Sequence, residues 1–506
     1  MNQLKATLFT ASFGCTLTIF DTSLVGVITP SLALDLGADF SQMTWVQSSF
    51  LLSFASLLMA SGALSDRFGR RRMYLFGLHL FGFSALACSF APTMNVLIIA
   101  RVVQGAGAAF LLAPALAIIG HTFREPAESV KAWTMWGSLM GITMVIAPLI
   151  SGFAGDFLGW RWAFLSLVAI SGALIITVPR VIDESREHNT GPFDWSGAFI
   201  FCFTMLAWTW ALISGSQHGW GNQQPLAASV LGCLSFGLLI KLEHGKELPM
   251  LDLHLFRSAR FVGAVIAMLG YAGTAQVMIA LLPLYLQQGM GVSFFGIGIA
   301  LLPFSLSMFL SPSLARRLSG RWDSSCLLTV GLLLISAGNF WLSFTATSGS
   351  FNWSCVGMAI LGIGGGLING ETQKAILGSM HQSKQGMGSG ISTTARFLGL
   401  LIGFTGLSSV LALGIKDRLR EVLCAEKSME CPQLQDTFQR VLAGQNNEIL
   451  PQMQLSASSV YSEGFGDLFL FAACVALLSA FICVVLNALN IARSTEVLAE
   501  KCADIG

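Results

Sequence analysis

The sequence predicts an all-α membrane protein with fourteen transmembrane helices, arranged as two six-helix bundles with an inserted helix pair. Of its 506 residues, 54% are hydrophobic and only 11% are charged, and the mean hydropathy is +0.69. Many apolar runs reach the roughly 20 residues that an α-helix needs to cross a bilayer. The formal net charge of +1 gives no broad basic surface, so we expect no nucleic-acid partner.

Short polar or charged connections separate the apolar runs and set the order of the helices. The predicted spans lie near 7–28, 43–63, 73–91, 95–119, 132–154, 161–179, 194–214, 225–241, 261–287, 294–314, 325–345, 353–374, 387–414 and 465–490. The first run lacks the pattern of a cleaved signal peptide, so we expect it to remain as the first helix.

The distribution of basic residues predicts that both termini are cytoplasmic. In that orientation most of the 28 Lys and Arg residues fall in inner loops or tails, and the short outer loops hold only Arg161. The remaining outer basic residues lie in one long polar loop, 415–464. Cys424 and Cys431 in this loop could form a disulfide in an oxidising compartment, and two free thiols are equally consistent with the sequence.

A weak internal repeat divides the chain. Residues 313–321 follow the tenth span as residues 63–70 follow the second, although Arg316 stands where the first copy has Asp66. Repeated helical halves are a common plan among polytopic membrane proteins. We therefore expect an N-terminal six-helix bundle in 1–180, a charged linker with helices 7 and 8 in 181–260, and a C-terminal six-helix bundle in 261–506.

One dense cluster of charges lies between the second and third spans. It places one acid among four arginines, and its key residues are Gly62, Asp66, Arg67, Gly69, Arg70 and Arg71. The two glycines allow close backbone approach and a sharp turn. We expect the cluster to form a latch at the cytoplasmic face that breaks and reforms as helices move. The alternative is a solvated loop whose arginines only fix the orientation.

Two opposite charges are predicted at matching depth inside the membrane. Asp21 lies about 13 residues into span 1, roughly 20 Å from the inner face at 1.5 Å per residue. Arg101 lies about six residues into the antiparallel span 4, roughly 10 Å below the outer face. In a core of about 30 Å the two depths coincide, so the side chains can meet if the spans are neighbours. Protonation of Asp21 would then release Arg101, and the alternative is a fixed structural ion pair.

Glu371 in span 12 follows a glycine-rich stretch and is a second candidate for titration or for contact with a cationic substrate. Lys374, three residues on, offers it an ordinary ion pair instead.

In span 5 a series of small residues predicts a close-packed face with a bend at proline, namely Thr143, Ala147, Pro148, Ser151 and Gly152. Further candidates for a central cavity are Trp45, Gln104, Trp136, Met140 and Gln276.

These motifs together resemble a known family. The 62–72 stretch is similar to the loop 2–3 signature of the major facilitator superfamily, and Arg101 to Ala109 is similar to its span 4 signature. Residues 20–30, 160–164 and 385–399 resemble the branch of fourteen-span drug:proton antiporters. The span 5 signature of that branch has glycine where this chain has Thr143, Ala147 and Ser151, so the likeness to antiporters is weaker there.

The resemblance implies two bundles rocking about a central cavity, with Asp21 and Arg101 in proton coupling and the charged loop as a cytoplasmic gate. We expect a proton-driven monomeric exporter of amphipathic small molecules in a bacterial inner membrane. The alternatives are a transporter of one metabolite, such as a siderophore, or a membrane sensor or enzyme. No zinc-site spacing and no phosphate-binding loop is present in the sequence, so we expect no metal, no cofactor and no enzymatic activity.

Overall fold

The computed structural model describes residues 2–123, 125–186, 194–244, 246, 253–319, 321–379, 385–425 and 451–503. Within these residues the regular structure is helical throughout. The α-helices are α1 Asn2–Leu36, α2 Phe40–Phe68, α3 Arg70–Ser89, α4 Met94–Thr122, α5 Pro126–Phe153, α6 Trp160–Val181, α7 Trp195–His218, α8 Gln223–His244, α9 Ala259–Tyr271, α10 Met278–Leu284, α11 Phe294–Ala300, α12 Leu302–Leu318, α13 Ser324–Ala346, α14 Phe351–Gly378, α15 Gln385–Ala425 and α16 Pro451–Ala503.

Thirteen helical segments of the described chain are long and apolar enough to cross a membrane. One of them, Ala259–Gly289, combines α9 and α10 with two π-helical turns, Ala272–Gln276 and Tyr285–Gly289. Another, Phe294–Leu318, combines α11 and α12. The predicted span 73–91 falls on α3, which is not among the thirteen, because arginines at its start and a histidine within it reduce its apolar character.

Local sequence signals explain where α2 begins and ends. Asp39 accepts a hydrogen bond from the Gln42 backbone N–H at 2.7 Å, and the Gln42 side chain accepts one from Asp39 N–H at 3.2 Å. This reciprocal pair satisfies backbone groups that a helix start leaves open. At the other end Gly69 has a φ of +109°, a conformation that ends the helix and that a residue with a Cβ rarely adopts.

The helices pack as two groups and a hairpin. In the first group α4 contacts α1, α2 and α3, while α1 also contacts α5 and α6. In the second group α14 contacts α9, α12 and α13, while α16 contacts α9, α13 and α15. The antiparallel helices α7 and α8 pack mainly against each other, and α7 also contacts α2 and α15. The groups meet where α1 contacts α10, α2 contacts α15, and α5 contacts α11 and α12.

Several helices are longer than the spans predicted for them. The predicted polar loop 415–464 begins within α15, which continues to Ala425, and α16 begins at Pro451 rather than near 465. Hydropathy identifies the apolar part of a helix, and it does not show how far the helix continues into polar residues. Residues 187–193 of the predicted linker lie outside the described residues, as does Cys431, the possible disulfide partner of Cys424.

Candidate functional site

A buried ion pair joins α1 to α4. Arg101 Nη1 donates to both carboxylate oxygens of Asp21, at 2.8 Å to Oδ1 and 2.7 Å to Oδ2. Both side chains are 0% exposed. The contact predicted from matching depths is therefore confirmed, whereas its role in proton coupling stays a prediction. Neither group reaches solvent in this arrangement.

Arg101 is also fixed to α2. Its Nε donates to the Val46 carbonyl at 3.1 Å, and its guanidinium carbon lies 4.2 Å from the centre of the Phe50 ring. Gly105, one turn further along α4, makes this approach possible, because an added Cβ would lie 2.2 Å from the Phe50 carbonyl oxygen. The guanidinium therefore has a carboxylate on one side and the backbone and an aromatic ring of α2 on the other.

Gln104 belongs to this ion pair and not to an open cavity, contrary to the prediction. Its Oε1 accepts from Arg101 Nη1 at 2.9 Å and from the Cys88 thiol at 3.5 Å, and the residue is 0% exposed. Arg101 Nη2, Gln104 Nε2 and the Ser23 hydroxyl are buried without a hydrogen-bond partner among the described residues. Unpaired buried donors are costly, so the site holds more donor capacity than this arrangement uses.

The charged loop contains its own ion pair. Arg70 donates from Nε and Nη2 to Asp66 Oδ1, at 3.0 and 2.8 Å, within a single turn of chain. The Arg67 guanidinium lies 5.8 Å from the Phe68 ring centre. An added Cβ at Gly62 would lie 3.9 Å from Ala113, an ordinary contact, so the predicted close approach at this glycine is wrong in this arrangement.

Glu184, which the sequence reasoning missed, anchors the start of α3. Its carboxylate accepts from the backbone N–H groups of Arg71 at 3.1 Å and Arg72 at 3.2 Å, and Arg71 Nη1 donates to the Ile182 carbonyl at 3.2 Å. A Cβ at Gly69 would lie 2.6 Å from Glu184 Oε1, so a side chain at this position would have to displace the Glu184 carboxylate. An acid from the segment after α6 thus caps a helix start that has no capping side chain of its own.

Glu371 is nearly buried and already paired. Its carboxylate lies 3.2 Å from Lys374 Nζ and accepts from the Ser324 hydroxyl at 3.2 Å. This geometry agrees with the ordinary ion pair that the sequence left open. Gln276, another candidate, lies in the first π-helical turn, 8% exposed, with Oε1 lacking a hydrogen-bond partner among the described residues.

The two aromatic candidates each pack on another tryptophan, Trp45 between helices and Trp136 within α5. The Trp45 ring packs on Trp210 of α7 at a centroid distance of 5.7 Å, and the Trp136 ring packs edge to face on Trp133 at 5.7 Å. Met140 on α5 is 8% exposed.

The small residues of α5 lie at its contact with α11. A Cβ at Gly152 would lie 2.3 Å from the Phe294 carbonyl oxygen, and one at Gly298 would lie 2.9 Å from the Pro148 carbonyl oxygen. The Ser151 hydroxyl donates to the Ala147 carbonyl at 2.6 Å, and Thr143 donates in the same way to Leu139 at 2.8 Å. Small side chains, whose hydroxyl groups are hydrogen-bonded to carbonyls of their own helix, let the backbones of α5 and α11 come into contact.

Comparison with known proteins identifies the family. A family model described as Major Facilitator Superfamily matches residues 11–404. The chain belongs to the Major Facilitator Superfamily. With its many apolar helices, it is therefore a multi-pass membrane protein of a transporter family.

Similar curated proteins carry resistance and efflux names. "Multidrug resistance protein Stp" of Mycobacterium tuberculosis is 29% identical, over 81% of this chain and 77% of that protein. "Methylenomycin A resistance protein" of Streptomyces coelicolor is 27% identical, over 79% of this chain and 84% of that protein. "Multidrug efflux pump LfrA" of Mycolicibacterium smegmatis is 26% identical, over 77% of each chain.

Solved structures share the fold of this superfamily member. A POT family transporter in complex with a conjugated peptide has a TM-score of 0.67 at 13% identity, covering 96% of both chains. A bacterial homologue of the lysosomal transporter Spinster has a TM-score of 0.65 at 16% identity, covering 97% of this chain and 98% of that one. At these identities the likeness concerns architecture alone.

Proposed function

We propose that this protein is a proton-coupled exporter of amphipathic small molecules that works by alternating access. The observation that carries the proposal is the fully buried Asp21–Arg101 pair, in a superfamily member whose curated relatives bear multidrug resistance names. An ionisable pair buried inside a membrane-spanning bundle is costly to maintain, which favours a functional role. Membership of a transporter family favours transport over an enzymatic role.

The proposed architecture has fourteen spans, with α3 counted as the third despite its arginines. Spans 1–6 and 9–14 form two units, helices α7 and α8 are inserted between them, and both termini are cytoplasmic. Thirteen membrane-capable helices in the described chain, together with α3, and the family's repeated halves support this arrangement. The protein is proposed to act as a monomer in a bacterial inner membrane.

Contacts between the two units support an inward-facing arrangement. A Cβ at Gly26 would lie 2.9 Å from Ala280 Cα, and the Ser48 and Thr405 hydroxyls lie 3.2 Å apart. These positions are at the end of the bundle away from the charged loop. The hydrogen bonds described for the charged loop itself stay within the first unit and the segment that follows α6. Such a pattern is expected when the outer gate is closed.

In the proposed cycle, protonation of Asp21 from outside weakens its hold on Arg101 and biases the units toward facing inward. Substrate binding from the cytoplasm or the inner leaflet then favours deprotonation and outward opening. Asp66, Arg67 and Arg70 serve the cytoplasmic gate. Glu371 is proposed as a secondary charge whose pairing with Lys374 changes during the cycle.

The test is transport by purified protein in liposomes under an imposed pH gradient, with ethidium, rhodamine 6G and uncharged dyes as substrates. The Asp21→Asn variant should still bind a dye that the wild type exports, and it should lose pH-driven export. Full pH-driven export by that variant would reject the role of Asp21. A wild-type protein that moves no compound in the panel would instead favour a sensor or enzyme.

A narrower candidate is export of one compound. The methylenomycin A relative and the "Tetracenomycin C resistance and export protein" of Streptomyces glaucescens, 24% identical, are named for single compounds. Growth of knockout cells on unrelated toxic compounds separates the two proposals, since sensitivity to many compounds supports the broad exporter and sensitivity to one supports the narrow exporter.

A further inference from the structure

A carboxylate of the first unit binds the start of a helix of the second unit. Asp156 lies in the π-helical turn Ala154–Leu158, directly after α5. Its Oδ2 accepts a hydrogen bond at 2.8 Å from the backbone N–H of Phe295, the second residue of α11. The first N–H groups of a helix have no partner within the helix, and the helix dipole attracts an anion there. Asp156 therefore supplies a hydrogen bond that α11 cannot supply for itself.

The cap of α11 is divided between the two units. The hydroxyl of Ser293, the residue before α11, accepts a hydrogen bond from the Gly296 backbone N–H at 3.2 Å. Ser293 belongs to the same unit as α11, whereas Asp156 belongs to the other. Loss of the Ser293 hydroxyl would therefore weaken the helix start alone. Loss of the Asp156 carboxylate would also remove a bond between the units.

The backbones of α5 and α11 are in contact beside this bond. A Cβ at Gly152 would lie 2.3 Å from the Phe294 carbonyl oxygen and 3.1 Å from the Phe295 Cα. A Cβ at Gly155 would lie 3.1 Å from Phe294 Cγ. Because the two glycines leave no gap at this contact, separation of α5 from α11 would carry Phe295 away from Asp156.

The surroundings of Asp156 allow its bond to break and to form again. Arg161, the basic residue nearest to it along the chain, donates instead to Asp35 of α1 at 2.6 Å. Asp156 itself is exposed, so water can replace the Phe295 N–H when the two helices separate. A hydrogen bond that exchanges with water in this way has only a modest net effect on stability, which suits a reversible contact.

The place of this bond in the bundle connects it with opening. The charged loop joins α2 to α3, and the successive helices α3, α4 and α5 lead from it to Asp156 at the opposite end of the bundle. In the proposed orientation this is the outer end. We propose that Asp156 is a latch of the outer gate, which holds the two units together through Phe295 and releases α11 when the outer end opens. The latch rests on the alternating access proposed above.

The test measures how often the outer end opens, at a position on another pair of helices. Met43 of α2 is 3% exposed and lines a narrow crevice with Leu281 of α10 and Phe404 of α15. Full-length Met43→Cys protein in lipid nanodiscs is treated with a water-soluble maleimide, and peptide mass spectrometry quantifies the label at this position. The native Cys326 thiol is exposed and serves as the internal reference.

Replacing Asp156 by Ala in this parent protein should increase the rate of labelling about two- to tenfold. The increase follows from the loss of one hydrogen bond that is made only in the closed arrangement. When labelling is slow relative to opening, its rate is proportional to the open fraction. Asp156→Asn keeps a neutral oxygen opposite the Phe295 N–H, so its rate should lie between those of the parent and Asp156→Ala.

Two further variants separate a latch from a local helix cap. Ser293→Ala is the matched control, because it removes a cap from the same helix start within the second unit, and it should label at the parent rate. Gly152→Ala forces α5 away from α11 directly, so it should label faster than the parent.

Labelling of Asp156→Ala at the parent rate, or an equal increase in Ser293→Ala, would overturn the proposal. Labelling of Gly152→Ala at the parent rate would also overturn it, because separation of α5 from α11 would then not open the outer end. If Asp156→Ala does not fold, the isosteric Asp156→Asn still decides, since it must label faster than the parent. The measurement needs no substrate and no pH gradient, so a failure of the latch differs from a failure of the proposed export.

Discussion

Replacing Asp21 by Asn should destabilise the protein strongly. The change leaves the Arg101 guanidinium buried with its hydrogen bonds to Val46 and Gln104 but with no opposite charge, because both groups of the pair are 0% exposed. Loss of one partner from a buried ion pair costs about 3–5 kcal/mol. Replacing both partners leaves no unpaired charge, so Asp21→Asn/Arg101→Met should recover most of the loss.

The measurement is the free energy of unfolding in mixed micelles, titrated with denaturing detergent. Asp35→Asn is the matched control, since Asp35 and Arg161 are 2.6 Å apart with side chains 47% and 45% exposed. An exposed pair contributes about 0–1 kcal/mol, so this control should change stability little. The reasoning fails if Asp21→Asn loses no more stability than the control. It also fails if the double variant loses as much stability as Asp21→Asn and Arg101→Met lose when their separate losses are added.

Three further changes test other contacts. Glu184→Gln should lower the stability of the protein by about 0.5–2 kcal/mol, because it weakens the cap on the first backbone N–H groups of α3. Hydrogen exchange of that first turn should become faster, and an unchanged exchange rate would contradict this prediction. Gly105→Ala should lower the unfolding temperature by pushing α4 from α2, whereas Gly120→Ala, with open space around it, should not; equal effects would reject close packing at this position. Hydrogen bonds from Arg161 and then Trp160 hold the pKa of Asp35 below its usual value in the folded protein. The ionised Asp35 side chain therefore stabilises the fold at pH values above its usual pKa, and this stabilisation is lost as the pH falls through the lowered pKa. The difference in unfolding temperature between wild type and Asp35→Asn should shrink as pH falls from 7 to about 3, and a constant difference would reject the assignment.

The sequence was sufficient to predict the helices because long apolar runs have few other stable forms in a membrane. It did not predict the π-helical turns at Ala272–Gln276 and Tyr285–Gly289 or the helical extension to Ala425. These features depend on packing and on polar residues beyond the apolar core. A hydropathy pattern contains neither kind of information.

The part of the site that could be predicted from the sequence is the part governed by the cost of burying a charge deep in the membrane. Burying Asp21 and Arg101 separately is so costly that their equal depth predicted a contact, provided that spans 1 and 4 are neighbours. The depth of a residue does not show which way its helix is rotated about its own axis. A helix that is apolar on every side has no amphipathic pattern from which that rotation could be predicted. Trp45 was therefore predicted in a cavity, although its ring packs on Trp210.

The sequence reasoning missed Glu184 for a physical reason. Glu184 caps α3 from more than a hundred residues away, and a single acid in a linker carries no periodic pattern that could relate it to a helix start.

The bonds around Arg101 indicate which helix a proton on Asp21 would free. A neutral Asp21 loses its charge-assisted bonds to Arg101 Nη1, whereas Arg101 keeps its bond to Val46 and its contact with Phe50. The attachment of α4 to α2 therefore survives protonation, and the attachment of α1 to α4 is the one that weakens. Helix α1 also contacts α10 at the interface between the two groups of helices. In the proposed mechanism, the effect of protonation therefore passes to the second unit through α1.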